Sequence, residues 1–343
     1  PGTINIELLK FSQTNDANTT KLQGTIKADY DWQAVTAMAA PFLPAGLLLT
    51  GKRNDTITFN SQWPAKDPNQ MLANMTGSAA LGWDSAEYMG LQIAKTEIKA
   101  QIEKGKLTIP PFSTTMNQGT LNFAANADFR QKPTMLTIPK PMSILKDVQI
   151  NDRVAAALLK NVNPLFASAK NTQGAANLDC NELAIPLAGG TDKDTKIDAT
   201  VSVMNLHLNS PVLEVLALLV GRNINSGMTL HPSQFVMRNG ILRYDNMQID
   251  LGDLAMLFAG QMGPEDKLKM TVTLPGLGGI AFKGTKDKPQ LDPVKMAQLT
   301  LQQQLLGGKQ KETTTQPGQQ PQQQASPEQQ LMQKGLDLFK KKK

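Results

Sequence analysis

The chain has 343 residues with a 40% apolar fraction, so it can bury a core, and it could hold two or three ordinary domains or one long repetitive one. Its net charge of +6 is concentrated at the end: from Lys309 onward there are seven lysines against three acids, a net +4, leaving +2 for the first 308 residues. A body that close to neutral is a poor match for nucleic acid, which needs a concentrated basic face; the single cysteine, Cys180, excludes an intrachain disulfide and a cysteine-based zinc site.

The chain opens at Pro1 rather than Met, which suggests a processed or truncated piece of a longer protein. No run of 18 apolar residues and no signal peptide are present. Ile4, Ile6 and Leu8 begin an alternation of apolar and polar residues, the period of a half-buried strand. A helix is predicted near 31–45, with aspartates as caps and Pro41, Pro44 and Gly46 as terminators. Strands follow over 57–63, 89–93, 98–102 and 107–109. Leu121, Phe123, Ala125, Ala127 and Phe129 then share one face, opposite Asn122, Asn126 and Asp128.

A second helix is predicted near 152–166, capped by Asn151 or Asp152. Ile197, Ala199, Val201 and Val203 form the apolar face of another strand, whose register flips near Asn205, the mark of a bulge. A third helix spans 211–221, with Ser210 as cap, Pro211 at its first position and Gly221 as stop. Met247, Ile249 and Leu251 lie on one further strand; Leu268, Met270, Val272 and Leu274 lie on another, which alternates without a fault. A strand over 280–282 and a helix near 293–306 complete the ordered part. Short turns such as "EKGKL", "NQGTL" and "RNGIL" separate neighbouring strands, which reads as an antiparallel meander.

The segment 309–327 is Gln/Pro-rich and has no apolar residues to fold on. In 328–343, Leu336 and Phe339 share a helical face with Leu331 and Met332, ahead of Lys340, Lys341, Lys342 and Lys343. That tail is either a membrane-contact helix drawn to anionic lipid or, more plainly, a frayed solubilising end.

Catalytic chemistry is not visible. His207 and His231 are the only histidines and neither has a partner placed by sequence. "TDKDTKIDAT" lacks the glycine and closing glutamate of a calcium loop and reads as a charged turn. "GLGGIAFKGTK" fails both the P-loop and the dinucleotide pattern. Cys180 reads as a small buried residue. No cofactor, metal or enzymatic activity is expected. The many two-faced strands, with few helices to cover them, admit a sandwich, a barrel, or a long curved sheet around a groove.

The stretch 236–306 resembles the C-terminal region of AsmA-like and TamB-like bacterial envelope proteins. The match lies in Gly240, Leu242 and Tyr244, then Met247, Ile249, Leu251 and Gly252, then Phe258, Gly260 and Gly263, with Leu274-Pro275 and Gly284-Thr285 followed by Pro289. Upstream, "FLPAGLLLTGKRNDTITFNSQWP", "INDRVAAALLKNVNPLFASA" and "ELAIPLAGGTDKD" resemble a subgroup of long AsmA-like proteins, so the likeness covers most of 20–306.

The resemblance implies a mainly β fold, a long curved antiparallel sheet forming an elongated hydrophobic groove with a few flanking helices. It would be built as one groove segment over 1–150 and a second over 151–308. It further implies a non-enzymatic protein of the periplasm, anchored in the inner membrane in full-length form by a segment absent from this chain. Such a protein would bind or conduct phospholipid acyl chains and contribute to outer-membrane lipid homeostasis. The alternative is an assembly factor that pairs envelope proteins through a sheet edge. The expected lining is Leu121, Phe123, Ala125, Ala127, Phe129, Ile197, Val201, Val203, Met247, Ile249, Leu251, Leu268, Met270, Val272 and Leu274.

Overall fold

The computed structural model describes residues 4–221, 227–263 and 268–299, apart from the side chain of residue 42. The alternating segments become strands, except that the stretch expected over 89–93 is a turn at Met89-Gly90 followed by the short strand Leu91–Ile93. They begin with β1 (Ile4–Asn15), β2 (Thr19–Asp31), β3 (Leu48–Thr50), β4 (Lys52–Pro64), β5 (Thr76–Trp83), β6 (Ser85–Tyr88), β7 (Leu91–Ile93) and β8 (Thr96–Glu103). β9 (Lys106–Met116), β10 (Gly119–Asp128), β11 (Thr134–Thr137), β12 (Met142–Gln149), β13 (Lys170–Ala188) and β14 (Lys196–Asn209) follow. β15 (Met228–Arg238), β16 (Ile241–Leu251), β17 (Leu254–Met262), β18 (Leu268–Leu274), β19 (Gly278–Thr285) and β20 (Lys288–Leu291) close the series.

Pairing is antiparallel and local throughout. β1 pairs with β2, β2 with β4, β4 with β5, β5 with β8, β8 with β9 and β9 with β10. β10 meets both β11 and β12, and both meet β13; from there each strand pairs with the next as far as β20. The short β3, β6 and β7 form a side ladder that continues β4, β5 and β8 past local breaks. The fold is therefore mainly β, one long antiparallel meander. The ladder runs on through residue 150, where β12 pairs with β13.

Turn chemistry explains the meander. Lys104-Gly105 and Asn239-Gly240 both take positive φ at their two central residues, the hairpin geometry whose twist matches that of strands. The flip expected near Asn205 is present: Asn205 has φ 50°, and the β14–β15 register shifts between Val203 and Leu206.

Helices occupy one side of the second half. α1 (Trp32–Ala39) and the single turn α2 (Gln70–Ala73) belong to the first half. α3 (Asp152–Ala157) is capped by Asn151, whose side chain accepts from the Val154 N–H, and 3-10 turns follow at Leu159–Asn161 and Pro164–Phe166. α4 (Pro211–Leu219) is capped by Ser210, which accepts from the Leu213 N–H. Residues 293–299 are helical, so the described part of the helix expected over 293–306 is present.

Segment 152–169 also shows that this part of the sheet curls. Arg153 pairs with Glu87 on β6, while Lys160 pairs with Asp287 in the β19–β20 turn. Strands lie about 4.8 Å apart, so in a flat sheet β13 and β20 would stand roughly 34 Å from each other. One short helical stretch can touch both only if the strands wrap around it.

The main core fills that wrap. Phe166, Leu165, Leu213, Leu216 and Leu299 pack against Val203, Leu230, Met247, Ile249, Met256, Phe258, Val272 and Ile280, all at most 2% exposed. A small second cluster, Trp32, Trp83 and Ala86, fixes α1 to the first half. Trp32 donates its indole N–H to the Gly82 carbonyl at 2.7 Å.

Candidate lipid-binding face

Two neighbouring rows of residues run across the first half. One passes through Gly24, Phe59, Gly77, Ile102, Leu107, Ala127, Leu136 and Ile185, each directly opposite the next on β2, β4, β5, β8, β9, β10, β11 and β13. The adjacent row, one residue along, reads Thr25, Thr58, Ser78, Gln101, Thr108, Asn126 and Thr137. Side chains one residue apart point to opposite faces, so along these rows the sheet presents an apolar side and a polar side. Leu8, Ile26 and Ile57 make a parallel apolar row at the β1 end.

Exposure changes sharply along this apolar side. In the second half Val203, Met247, Ile249 and Val272 are 0–1% exposed beneath the helices. In the first half Ile6 is 63% exposed, Leu8 57%, Phe11 47%, Leu81 45% and Ile57 36%. Phe11 and Phe59 lie with ring centroids 6.4 Å apart. They lie over Gly24, where an added Cβ would stand 2.9 Å from the Phe59 ring. A surface aromatic pair seated on a glycine is a shaped apolar platform, not scattered surface residues.

At one end the platform meets a polar cluster. Tyr30 donates to Asp55 at 2.7 Å, Arg53 pairs with the same carboxylate at 2.8 Å, and Arg53 also reaches Glu97 at 3.0 Å. Asp55 is 5% exposed and accepts from both donors. Burial and the Asp55 carboxylate together push the Tyr30 hydroxyl well above its ordinary range.

The expected lining divides accordingly. Leu121 and Phe123 are half-buried, while Ala125, opposite Ile109, and Ala127, between Leu107 and Leu136, are buried. Phe129 falls just past the end of β10, in a turn. Ile197 is half-buried; Val201, Val203, Met247, Ile249, Leu251, Leu268, Met270, Val272 and Leu274 are core residues, at most 7% exposed. They share the predicted face but are covered by α4, the 152–169 segment and Leu299, so they are core wall, not free lining. The exposed Phe11, Ile57 and Leu81, and the half-buried Ile26 and Phe59 beside them, were not in the expected set. A bulge at Lys10, with φ 52°, breaks the alternation just where it would have marked Phe11. Leu336, Phe339 and Lys340–Lys343 lie outside the described residues.

The remaining titratable groups are placed structurally. Cys180 is buried, its thiol pushed up by desolvation, and it donates to the Glu182 carbonyl. His231 meets Asp250 at 2.6 Å on the outer side, and His207 stands beside the Asn205 carbonyl. "TDKDTKIDAT" forms the β13–β14 turn, with Thr191 and Asp194 in a capping box. Among the described residues no three His, Cys, Asp or Glu converge as a metal site, and no helix is long and apolar enough to cross a membrane. No family model, curated protein or solved structure matches the chain.

Proposed function

We propose that this chain is a non-enzymatic lipid-handling protein of the bacterial envelope, akin to the AsmA-like proteins. Phospholipid acyl chains lie on the open apolar side of β1–β9, and the helix-filled second half is its rigid wall. The observation that carries the reading is the apolar side of the first strands: Ile6, Leu8, Phe11, Ile57 and Leu81 stand exposed there beside half-buried Phe59, Ile102 and Leu107, with a polar ladder on the opposite side of the same strands. Flexible acyl chains suit such a strip because they adapt to Leu, Ile, Phe and Ala side chains without directional contacts. Protein purified gently from its native membranes should carry phospholipid detectable by mass spectrometry. Lipid-free protein from the same preparation would count against the reading.

A second reading, strand capture by a sheet edge, is favoured by an asymmetry between the two edges. β20 is four residues long and carries Lys288 and Pro289, which discourage pairing. β1 has 12 residues, no proline, and a single lysine, which sits at the bulge. An edge of that kind accepts an added strand. Crosslinking from Glu7 or Leu9, on the β1 face turned away from the apolar side, should trap protein under this reading and only solvent under the first.

A further inference from the structure

Between Asp31 and Lys52 no residue is charged, and only Gln33, Thr36 and Thr50 are polar. The helix α1 and the connection that follows it leave much of this segment in solvent. Met38 is 74% exposed, and Ala37, Ala40, Pro41, Pro44, Ala45 and Gly46 are exposed as well. Trp32, packed on Trp83 and Ala86, anchors the near end, and Val35 and Leu49 pack on the same cluster from either side of the exposed stretch.

We infer that residues 37–47 form a membrane-dipping loop that docks the protein on a lipid bilayer. The occupant is argued from charge and from the backbone. A protein partner would be expected to meet a polar rim with its own hydrogen-bonding groups, and between Gln33 and Thr50 no side chain apart from Thr36 offers one. Thr36 turns its hydroxyl back onto the Trp32 carbonyl at 2.7 Å. Leaving a backbone N–H unpaired in hydrocarbon is costly, and the loop limits that cost. Pro41 and Pro44 have no N–H, while Leu43 donates to the Ala39 carbonyl and Leu47 to the Pro44 carbonyl, both at 3.1 Å.

The prolines and Gly46 stop the segment from extending as a helix, and it is too short to span. It therefore enters only the headgroup and upper acyl region, about 5–10 Å deep. Its position is apt, since Tyr30, edge-on to Trp32 at 5.3 Å, lies opposite Ile4 of β1 and links the loop to the open apolar side. The inference stands on the loop's own composition and exposure and does not need the acyl-chain reading to hold.

The test is flotation of the full chain with vesicles of phosphatidylcholine alone, in 1 M salt, where the screening length is about 3 Å and the lysine tail is silenced. The wild-type chain should float with the vesicles. A double variant, Met38→Asp with Ala45→Asp, should partition about tenfold less or worse, because each change puts a carboxylate where a bilayer requires apolar surface. Both sites are exposed, so folding is spared, and circular dichroism verifies it. Val294→Asp, an equally drastic change at a 63% exposed valine elsewhere, should float as the wild type does. Failure of the wild-type chain to float, or flotation of the double variant at the wild-type level, overturns the inference. Flotation that survives while purified protein carries no phospholipid defeats the acyl-chain reading and leaves the loop standing.

Discussion

Replacing Val272 by aspartate should unfold most of the protein at neutral pH, whereas Leu8→Asp should leave its stability nearly unchanged. Val272 is 0% exposed and pairs across the sheet with Phe258 and Ile280, while Leu8 is 57% exposed on the edge strand. Losing a buried valine side chain costs about 2 kcal/mol. Enclosed carboxyls have pKa values raised by roughly 3–5 units, and keeping one protonated at pH 7, about 3 units above its unfolded value near 3.9, adds about 4 kcal/mol. The sum, about 6 kcal/mol, falls within the whole stability of an ordinary domain, about 5–15 kcal/mol. At Leu8 the new carboxylate stays hydrated, and a change within about 1 kcal/mol is expected.

The sign with pH follows. An acid whose folded pKa is raised destabilises fully above that folded value and not at all below its unfolded value. Val272→Asp should therefore recover about 2.7 kcal/mol between pH 7 and pH 5, at about 1.36 kcal/mol per unit. Urea unfolding followed by circular dichroism at both pH values measures this. Midpoints for the two variants that agree within about 1 kcal/mol would refute the division into a filled half and an open half.

Three further outcomes are expected. Tyr244 is 2% exposed and, among the described residues, its hydroxyl has the Met270 sulfur, at 3.5 Å, as partner, so Tyr244→Phe should change stability by less than about 0.5 kcal/mol in urea titrations, in contrast to a typical buried hydroxyl. Gly260 has φ 141°, and an added Cβ would stand 2.3 Å from the Lys269 carbonyl oxygen. Gly260→Ala should accordingly lower the thermal midpoint, with a cost of more than about 1 kcal/mol. The Thr172 N–H, donating at 2.6 Å, holds the Asp152 carboxyl below the usual carboxylate range. That lowered pKa stabilises the fold above the unfolded value near 3.9 and is lost as pH falls through the folded value. Asp152→Asn should thus be less stable at pH 7 but lose less on acidification below pH ~4, which urea midpoints across that range will register.

The strand content was legible because alternation reports which way each side chain points. The bulge at Asn205 and the caps at Asn151 and Ser210 were legible because they rest on local chemistry. What alternation does not report is the contents of the space beyond a face. Leu268–Leu274 and Ile4–Leu8 show the same period, yet one set is covered by α4 and the 152–169 segment and the other by nothing among the described residues. That difference depends on the curl of the sheet, which brings Lys160 to Asp287 across 127 positions of sequence. The platform residue Phe11 was hidden for a smaller reason, the bulge at Lys10 that shifts its parity.

The most direct test of the central claim is photocrosslinking in cells with a probe at Ile57, on the open apolar side, against one at Thr58, its neighbour on the polar side. The lipid-face account predicts phospholipid adducts from position 57 and none from position 58. Equal lipid labelling at both positions, or none at position 57, would contradict it.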